Sequence, residues 1–132
     1  KNIKNVVPIE PLNSVEEYSA FAISELGNYV ETPHVLIIQH DGFILNPKAW
    51  TDEYLNYDYI GAPFKIVDWS IEKFNLDPSL KGSQIVGNGG FCLRSKRLLT
   101  LVAEMSAQKQ IADYHPEDVV ICIKIRKLLE AQ

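Results

Sequence analysis

The sequence predicts an α/β sandwich formed by one domain over residues 1–132. The first observation is the order of its apolar segments, which runs strand, helix, strand, strand, helix. The second is Val35–Ile38, a continuous β-branched and leucine run typical of a strand buried on both faces of a helix-covered sheet. The third is size and composition: 132 residues that are 46% hydrophobic and 23% charged can enclose one core.

The first elements follow from local signals. Val6, Val7 and Ile9 lie among prolines and predict a short edge strand. Ser14 and Glu17 form the S-x-x-E pattern of a capping box, so a helix begins there. We expect it to end near Thr32, because the proline that follows disfavours helical geometry in the residue before it. Its apolar face consists of residues at helical spacing, namely Val15, Tyr18, Phe21, Ala22 and Leu26.

The centre of the chain is punctuated by glycine and proline. Asp41-Gly42 predicts a turn after the strand Val35–Ile38, and residues 43–45 resume an extended segment. We expect a short helix over residues 50–55 and a short strand within residues 57–63. Residues 64–85 combine mixed polarity with Pro78 and Gly82, which predicts a long loop with at most one helical turn.

The last third returns to regular structure. Phe91–Arg94 predicts a strand, and Ser95 is suited to cap the helix that follows it, whose apolar residues are Leu98, Leu99, Leu101 and Val102. Pro116 suits the first position of a final helix with Glu117 and Asp118 in its first turn. The apolar face of that final helix is supplied by Val119, Val120, Ile123 and Leu128.

Composition and charge exclude several classes of function. The net charge is −4 and no basic run is present, which argues against a nucleic-acid partner. No apolar run reaches membrane-spanning length and no signal peptide is visible, so we expect no transmembrane segment and a cytoplasmic location. Cys92 and Cys122 lie in apolar runs and are expected to be buried free thiols, although the sequence leaves a disulfide open.

Asp41 is the first candidate site residue. A carboxylate just beyond a strand stands at the sheet edge where open α/β sheets bind ligands, and hard cations such as Mg²⁺ or Mn²⁺ prefer oxygen ligands. The alternative is that Asp41-Gly42 is simply a tight turn, and the two interpretations are evenly balanced. His40 and His115 are also possible ligands, but lone histidines in such positions are more often structural.

The remaining candidates are acidic, amide and glycine residues. Glu117 and Asp118 either interact favourably with the helix dipole or act on an incoming hydroxyl, with one carboxylate as general base. Asn88, Gly89 and Gly90 can offer an amide and backbone N–H groups to sugar hydroxyls, but the Lys-Ser/Thr pair of a P-loop does not follow them. Aromatic side chains able to stack on a sugar ring are Trp50, Tyr57, Tyr59, Phe64 and Trp69.

Four segments in order resemble a glycosyltransferase-like family associated with bacterial surface sugars, and the resemblance runs from about Ser14 to the C-terminus. The segments are Leu36 to Phe43, Tyr57 to Pro63, Gly87 to Arg94, and Glu117 to Val119. Members of the family look like glycosyltransferases of the A fold. The resemblance therefore implies this α/β fold, here without its first N-terminal βαβ unit.

The resemblance also implies roles for individual residues. Gln39-His40-Asp41 stands where A-fold enzymes carry a DxD motif, so Asp41 would bind Mn²⁺ or Mg²⁺ and Gln39 would contact a ribose or sugar. Asn88, Gly89 and Gly90 would shape the substrate site. Asp118 would be the catalytic base and Glu117 would contact the acceptor.

The implied partners are a nucleotide-sugar donor and a carbohydrate acceptor in surface polysaccharide synthesis. The sequence does not specify an oligomeric state. The main alternative is a non-catalytic carbohydrate- or nucleotide-binding module derived from the same fold, favoured by glutamine at the first position of the metal motif. A glycoside hydrolase fits less well, because its two acids must lie on opposite sides of the scissile bond.

Overall fold

A computed structural model describes residues 6–132 of the chain. These residues form a mixed α/β fold with two small antiparallel sheets. The strands are β1 (His34–Ile38), β2 (Tyr59–Gly61), β3 (Pro63–Lys65), β4 (Gln84–Val86) and β5 (Phe91–Ser95). The helices are α1 (Val15–Ser24), α2 (Asp68–Phe74), α3 (Lys96–Ala107), α4 (Glu117–Val119) and α5 (Arg126–Glu130). Single 3₁₀ turns cover Leu26–Tyr29, Pro47–Ala49, Asp52–Asn56 and Pro78–Leu80.

The N-terminus of α1 is capped as its sequence predicts. Ser14 Oγ accepts a hydrogen bond of 3.1 Å from the Glu17 N–H. The Glu17 carboxylate reaches back to the N–H of Asn13 at 2.7 Å, one residue before the cap. Two of the N–H groups at this end are thus satisfied by side chains.

Two expectations near α1 are wrong. The helix ends at Ser24 and gives way to a 3₁₀ turn, so it is shorter than the predicted limit near Thr32. Gly27 lies in that turn and packs against Leu99 of α3. Residues 6–13 are irregular and exposed, so the predicted edge strand at residues 6–9 is not formed; residues 1–5 lie outside the described part.

The larger sheet has the strand order β1-β5-β2, and β5 is antiparallel to both neighbours. The ladder between β1 and β5 continues past the strand end, because the Gln39 N–H donates to the Gly90 carbonyl at 2.8 Å. One face of β1 is open, with Leu36 36% and Ile38 46% exposed. The prediction that this strand is buried on both faces is therefore wrong.

Residues 64–85 are more ordered than predicted. β3 and β4 pair antiparallel, and the segment of chain that connects them contains α2. The α2 N-terminus is held by Ser70, whose Oγ accepts from the Val67 N–H at 2.9 Å. Its C-terminus is Asn75 in the left-handed region at φ 51°, which is a helix-terminating geometry that asparagine tolerates.

Two hydrophobic clusters hold these elements together. The first joins α1 and α3 to the C-terminal residues and contains Ile23, Leu98, Val102, Met105, Ile111, Val120, Ile121, Cys122 and Ile125. The second lies beneath the β3–β4 pair and contains Ile66, Leu76 and Val119. Neighbouring residues Val119 and Val120 thus pack into different clusters, which fixes the position of the two acids just before them.

The C-terminal helix is interrupted. Pro116 is its N-cap rather than its first helical residue, and a π-helical turn over Val120–Lys124 separates α4 from α5. Ser95 does cap α3, since its Oγ accepts from the Leu98 N–H at 3.0 Å. Cys92 and Cys122 are both buried free thiols. Within residues 6–132, no helix has the length and apolar character needed to cross a membrane.

Candidate functional site

A cleft of about 960 Å³ lies beside the C-terminal end of β1. Three segments that are distant in the sequence line it: the turn after β1, the loop before β5 and the start of α4. All seven residues proposed as site residues from the sequence are part of its lining, namely Gln39, Asp41, Asn88, Gly89, Gly90, Glu117 and Asp118. The fold therefore brings these candidates to a single cleft.

Residues Gly87–Gly90 are the glycine loop, and its residues 88–90 line the cleft. Asn88 has a left-handed backbone with φ 55°, a conformation that asparagine adopts more readily than most residues. Its Nδ2 donates to the Ala62 carbonyl at 3.0 Å, so this part of the side chain anchors the loop to the segment after β2. The Asn88 carbonyl in turn accepts from the Phe91 N–H at 3.3 Å. The loop is therefore held in place before any ligand binds.

Glu117 and Asp118 both contact Gly89 of the glycine loop. A methyl group at Gly89 would overlap Glu117 Oε1, so this carboxylate occupies space that only glycine leaves free. Asp118 Oδ2 accepts from the Gly89 N–H at 3.3 Å, and its Oδ1 accepts from the Val119 N–H at 2.8 Å. The acids thus contribute to the structure of the loop as well as to the cleft lining.

Arg94 lies under this pair and is fully buried. Its Nη2 donates to Glu117 Oε1 at 2.9 Å, and its Nε donates to the Cys92 sulfur at 3.3 Å. The guanidinium carbon is 5.2 Å from the ring centre of Tyr59, within the range of a cation–π interaction. The buried positive charge therefore compensates the Glu117 carboxylate at the cleft floor.

Sequence reasoning did not identify Arg94 as a site residue. The available signal was alternation: residues 92 and 94 point to the same face of β5, so the charge of Arg94 shares a face with Cys92, which the sequence predicts to be buried. A charged residue on the inner face of such a strand requires a buried partner. That requirement predicts an acid such as Glu117, but the sequence does not show which acid.

Tyr18 of α1 is a second residue that the sequence did not single out. Its hydroxyl is buried without a hydrogen-bond partner among the described residues. Burial raises the pKa of Tyr18, and the nearby Glu117 carboxylate raises it further. The phenol is therefore neutral beside Glu117, although Tyr18 does not itself line the cleft.

Asp41 is the third acid of the cleft lining, and it is exposed. The turn that carries it is closed by a hydrogen bond of 3.0 Å from the Gly42 N–H to the Gln39 carbonyl. The Gln39 side chain extends over the glycine loop, with its Oε1 only 2.6 Å from where a Cβ of Gly90 would lie. Gly90 therefore makes room for Gln39.

The electrostatics of the lining are one-sided. Among residues 6–132, the lining contains the carboxylates of Asp41, Glu117 and Asp118 and no Lys, Arg or His side chain. Within residues 6–132, no group of three His, Cys, Asp or Glu side chains is arranged to hold a metal ion. A cation bound at Asp41 would therefore need oxygen ligands from a substrate, a mode of binding typical of Mg²⁺ with phosphates.

Most of the other candidates from the sequence do not line the cleft. His40 is exposed and does not line the cleft, and the His115 Nδ1 is within 3.1 Å of the buried Ser19 hydroxyl, a structural contact. Among the aromatic candidates, Trp50 lines the cleft and Tyr59 supports it from below, where burial raises the pKa of its hydroxyl. The remaining three do not line it: Tyr57 and Trp69 are exposed, and Phe64 packs on the second cluster.

Comparison with known proteins places the chain in one family. A family model described as "Protein of unknown function (DUF5672)" matches residues 3–132, so the chain belongs to this family. No curated protein and no solved structure matches the chain. The family description specifies no reaction, and the function must be argued from the cleft itself.

Proposed function

We propose that the protein is a metal-dependent glycosyltransferase of the A-fold type, which moves a sugar from a nucleotide-sugar donor to a hydroxyl acceptor in surface polysaccharide synthesis. The observation that supports this most strongly is the convergence of Asp41, the glycine loop and the Glu117–Asp118 pair on one cleft. In this proposal the two ends of the cleft have different tasks. The Asp41 end binds the donor diphosphate, and the Asp118 end receives the acceptor.

Asp118 is the proposed base. As the acceptor oxygen bonds to the anomeric carbon, the carboxylate takes the hydroxyl proton, and the bond from that carbon to the nucleoside diphosphate breaks. Glu117 is less suited to this task because its Oε1 is bound to the buried Arg94. It is better placed to accept a hydrogen bond from the acceptor and orient it.

A divalent cation fits the charge of the cleft. Three carboxylates without a lining Lys, Arg or His repel a diphosphate, and the exposed Asp41 offers the hard oxygen ligand that Mg²⁺ or Mn²⁺ prefers. When bound, such an ion would neutralise the charge that develops on the departing diphosphate. Gln39 is the neighbouring side chain available to hydrogen-bond the ribose or sugar of the donor.

Turnover with a panel of nucleotide sugars tests the reaction. The proposal predicts release of nucleoside diphosphate by the wild type with Mn²⁺ and a fall of at least about 100-fold in Asp118→Asn, the range of a lost general base. Asp68→Asn is the matched control, because Asp68 is an exposed acid on α2 paired with Lys81 at 2.6 Å. Equal release by Asp118→Asn and the wild type would exclude Asp118 as the base.

A non-catalytic binding module is the second candidate. It is favoured by the fact that both carboxylate oxygens of Asp118 already accept backbone hydrogen bonds, from Gly89 and from Val119. A carboxylate with this structural role need not act on a substrate. Tight binding of nucleoside diphosphate with Mn²⁺, combined with no turnover of any nucleotide sugar, is the result that distinguishes this candidate.

A further inference from the structure

Part of the cleft lining is apolar and exposed, and it is called the wall below. It is formed by residues 43–47, 49 and 50 of the segment that follows the Asp41 turn. Residues 43–50 are called the apolar loop, and its Lys48 does not line the cleft. Phe43 is 72%, Ile44 53%, Leu45 94% and Trp50 50% exposed. Large apolar side chains concentrated on one exposed loop at a cleft are typical of a surface that binds an apolar group.

This wall is continuous with the proposed acceptor site. The apolar loop, the glycine loop and the acids Glu117 and Asp118 line the same cleft. A ligand whose hydroxyl reaches Asp118 therefore has the apolar loop within the same enclosure. The part of the ligand next to its hydroxyl-bearing sugar is the part that can contact this wall.

The charge of the cleft restricts what that part can be. The lining carries three carboxylates and no basic side chain, and the buried Arg94 is already paired with Glu117. An acceptor that carries its own phosphate next to the sugar would be repelled, because the proposed cation is committed to the donor. An uncharged apolar group can pack against the apolar wall and is not repelled by the carboxylates.

We infer that the acceptor is an uncharged glycoside with an apolar aglycone, and that the apolar loop binds the aglycone. This inference rests on the proposed function and names the acceptor class for the same cleft. Phe43 and Leu45 have the highest exposed fractions on the wall, so we expect them to carry most of the binding.

Binding of methyl, hexyl and octyl β-glucosides below their micellar concentrations tests the inference by calorimetry. Affinity is expected to rise about threefold to fourfold for each methylene group that leaves water. In Phe43→Asn and Leu45→Asn this dependence on chain length should largely disappear. Trp69→Asn is the control, since Trp69 is 61% exposed but lies on α2 outside the cleft lining. Octyl phosphate should bind at least tenfold more weakly than octyl glucoside.

Several results would overturn the inference. One is equal affinity for all three glucosides, and another is a chain-length dependence that Phe43→Asn and Leu45→Asn leave intact. A third is a dimer in light scattering that Leu45→Asn dissociates, which would make the wall an interface between two copies. Binding of Mn²⁺ with nucleoside diphosphate, measured in the same variants, separates failure of this inference from failure of the proposed function.

Discussion

Gly89→Ala is predicted to destabilise the protein although the backbone at this position is not strained. The φ of Gly89 does not lie in the left-handed region. Among the glycines of residues 6–132, Gly82 is the one whose φ does. On backbone grounds alone, alanine would stabilise the fold by about 0.4–1 kcal/mol. The added methyl group, however, would overlap Glu117 Oε1 and come within 3.0 Å of Arg94 Nη2.

The magnitude follows from what must move. To relieve the overlap, the Glu117 carboxylate has to shift by ~1 Å, which breaks its 2.9 Å bond to Arg94 inside the protein. Loss of a charged hydrogen bond costs about 1.5–3 kcal/mol, and a buried ion pair broken completely costs about 3–5 kcal/mol. After the backbone gain is subtracted, we expect a net loss of about 0.5–2.5 kcal/mol if only the hydrogen bond is lost and about 2–4.5 kcal/mol if the ion pair is broken completely.

Urea unfolding of Gly89→Ala, with Gly90→Ala as the control, measures the change in the free energy of unfolding. The three atoms nearest to the methyl of Gly90→Ala all belong to the Gln39 side chain, with Oε1 at 2.6 Å and Cδ at 3.1 Å. The exposed Gln39 side chain can swing away, so this control should change stability by less than about 1 kcal/mol. In a Glu117→Ala background, the cost of Gly89→Ala should vanish. Wild-type stability of Gly89→Ala, or an undiminished cost in the Glu117→Ala background, would refute this reasoning.

Three further predictions concern buried and ionised groups. Arg94→Met leaves the Glu117 carboxylate buried without its partner and should cost about 3–5 kcal/mol in urea unfolding, of which a second change, Glu117→Leu, should restore a part; additive losses would contradict this. The hydrogen bond from Arg97 holds the pKa of Asp58 below its usual 3.8, and Ser95 contributes less. The stability that this carboxylate provides is therefore complete above its unfolded-state pKa and is lost as the pH falls through its lower folded-state pKa. Stability measured from pH 6 to pH 2 should depend less on pH in Asp58→Asn than in the wild type. Burial raises the pKa of the Cys122 thiol to about 12, so maleimide at pH 8 should label it only after unfolding, and rapid labelling of the native protein would contradict its burial.

The sequence was informative where local chemistry decides structure. Ser14 and Ser95 cap α1 and α3 because a hydroxyl before an apolar-periodic segment satisfies free N–H groups whatever the tertiary context. Local sequence signals likewise predicted where Asp41, the glycine loop and the acids Glu117 and Asp118 lie relative to the ends of strands and helices. Their convergence on one cleft agrees with the sequence hypothesis of a shared site.

What the sequence could not predict depends on neighbours. Val35–Ile38 has the composition of a fully buried strand, yet Leu36 and Ile38 are exposed, because burial is decided by what packs on each face rather than by the strand itself. Helix α2 is longer than the single turn that the sequence predicted within residues 64–85, because its N-cap, Val67, has no polar side chain to mark the start of a helix. The partnership of Arg94 with Glu117, 23 residues apart, is a tertiary contact without a local signal.

In the proposed function, Asp41 binds a nucleoside diphosphate together with a divalent cation. Calorimetric titration of nucleoside diphosphate into the protein, with Mn²⁺ and with EDTA, measures this binding. We expect binding with Mn²⁺, none with EDTA, and a loss of at least tenfold in Asp41→Asn that Asp68→Asn does not share. Binding that is equal with EDTA, or unchanged in Asp41→Asn, would contradict it.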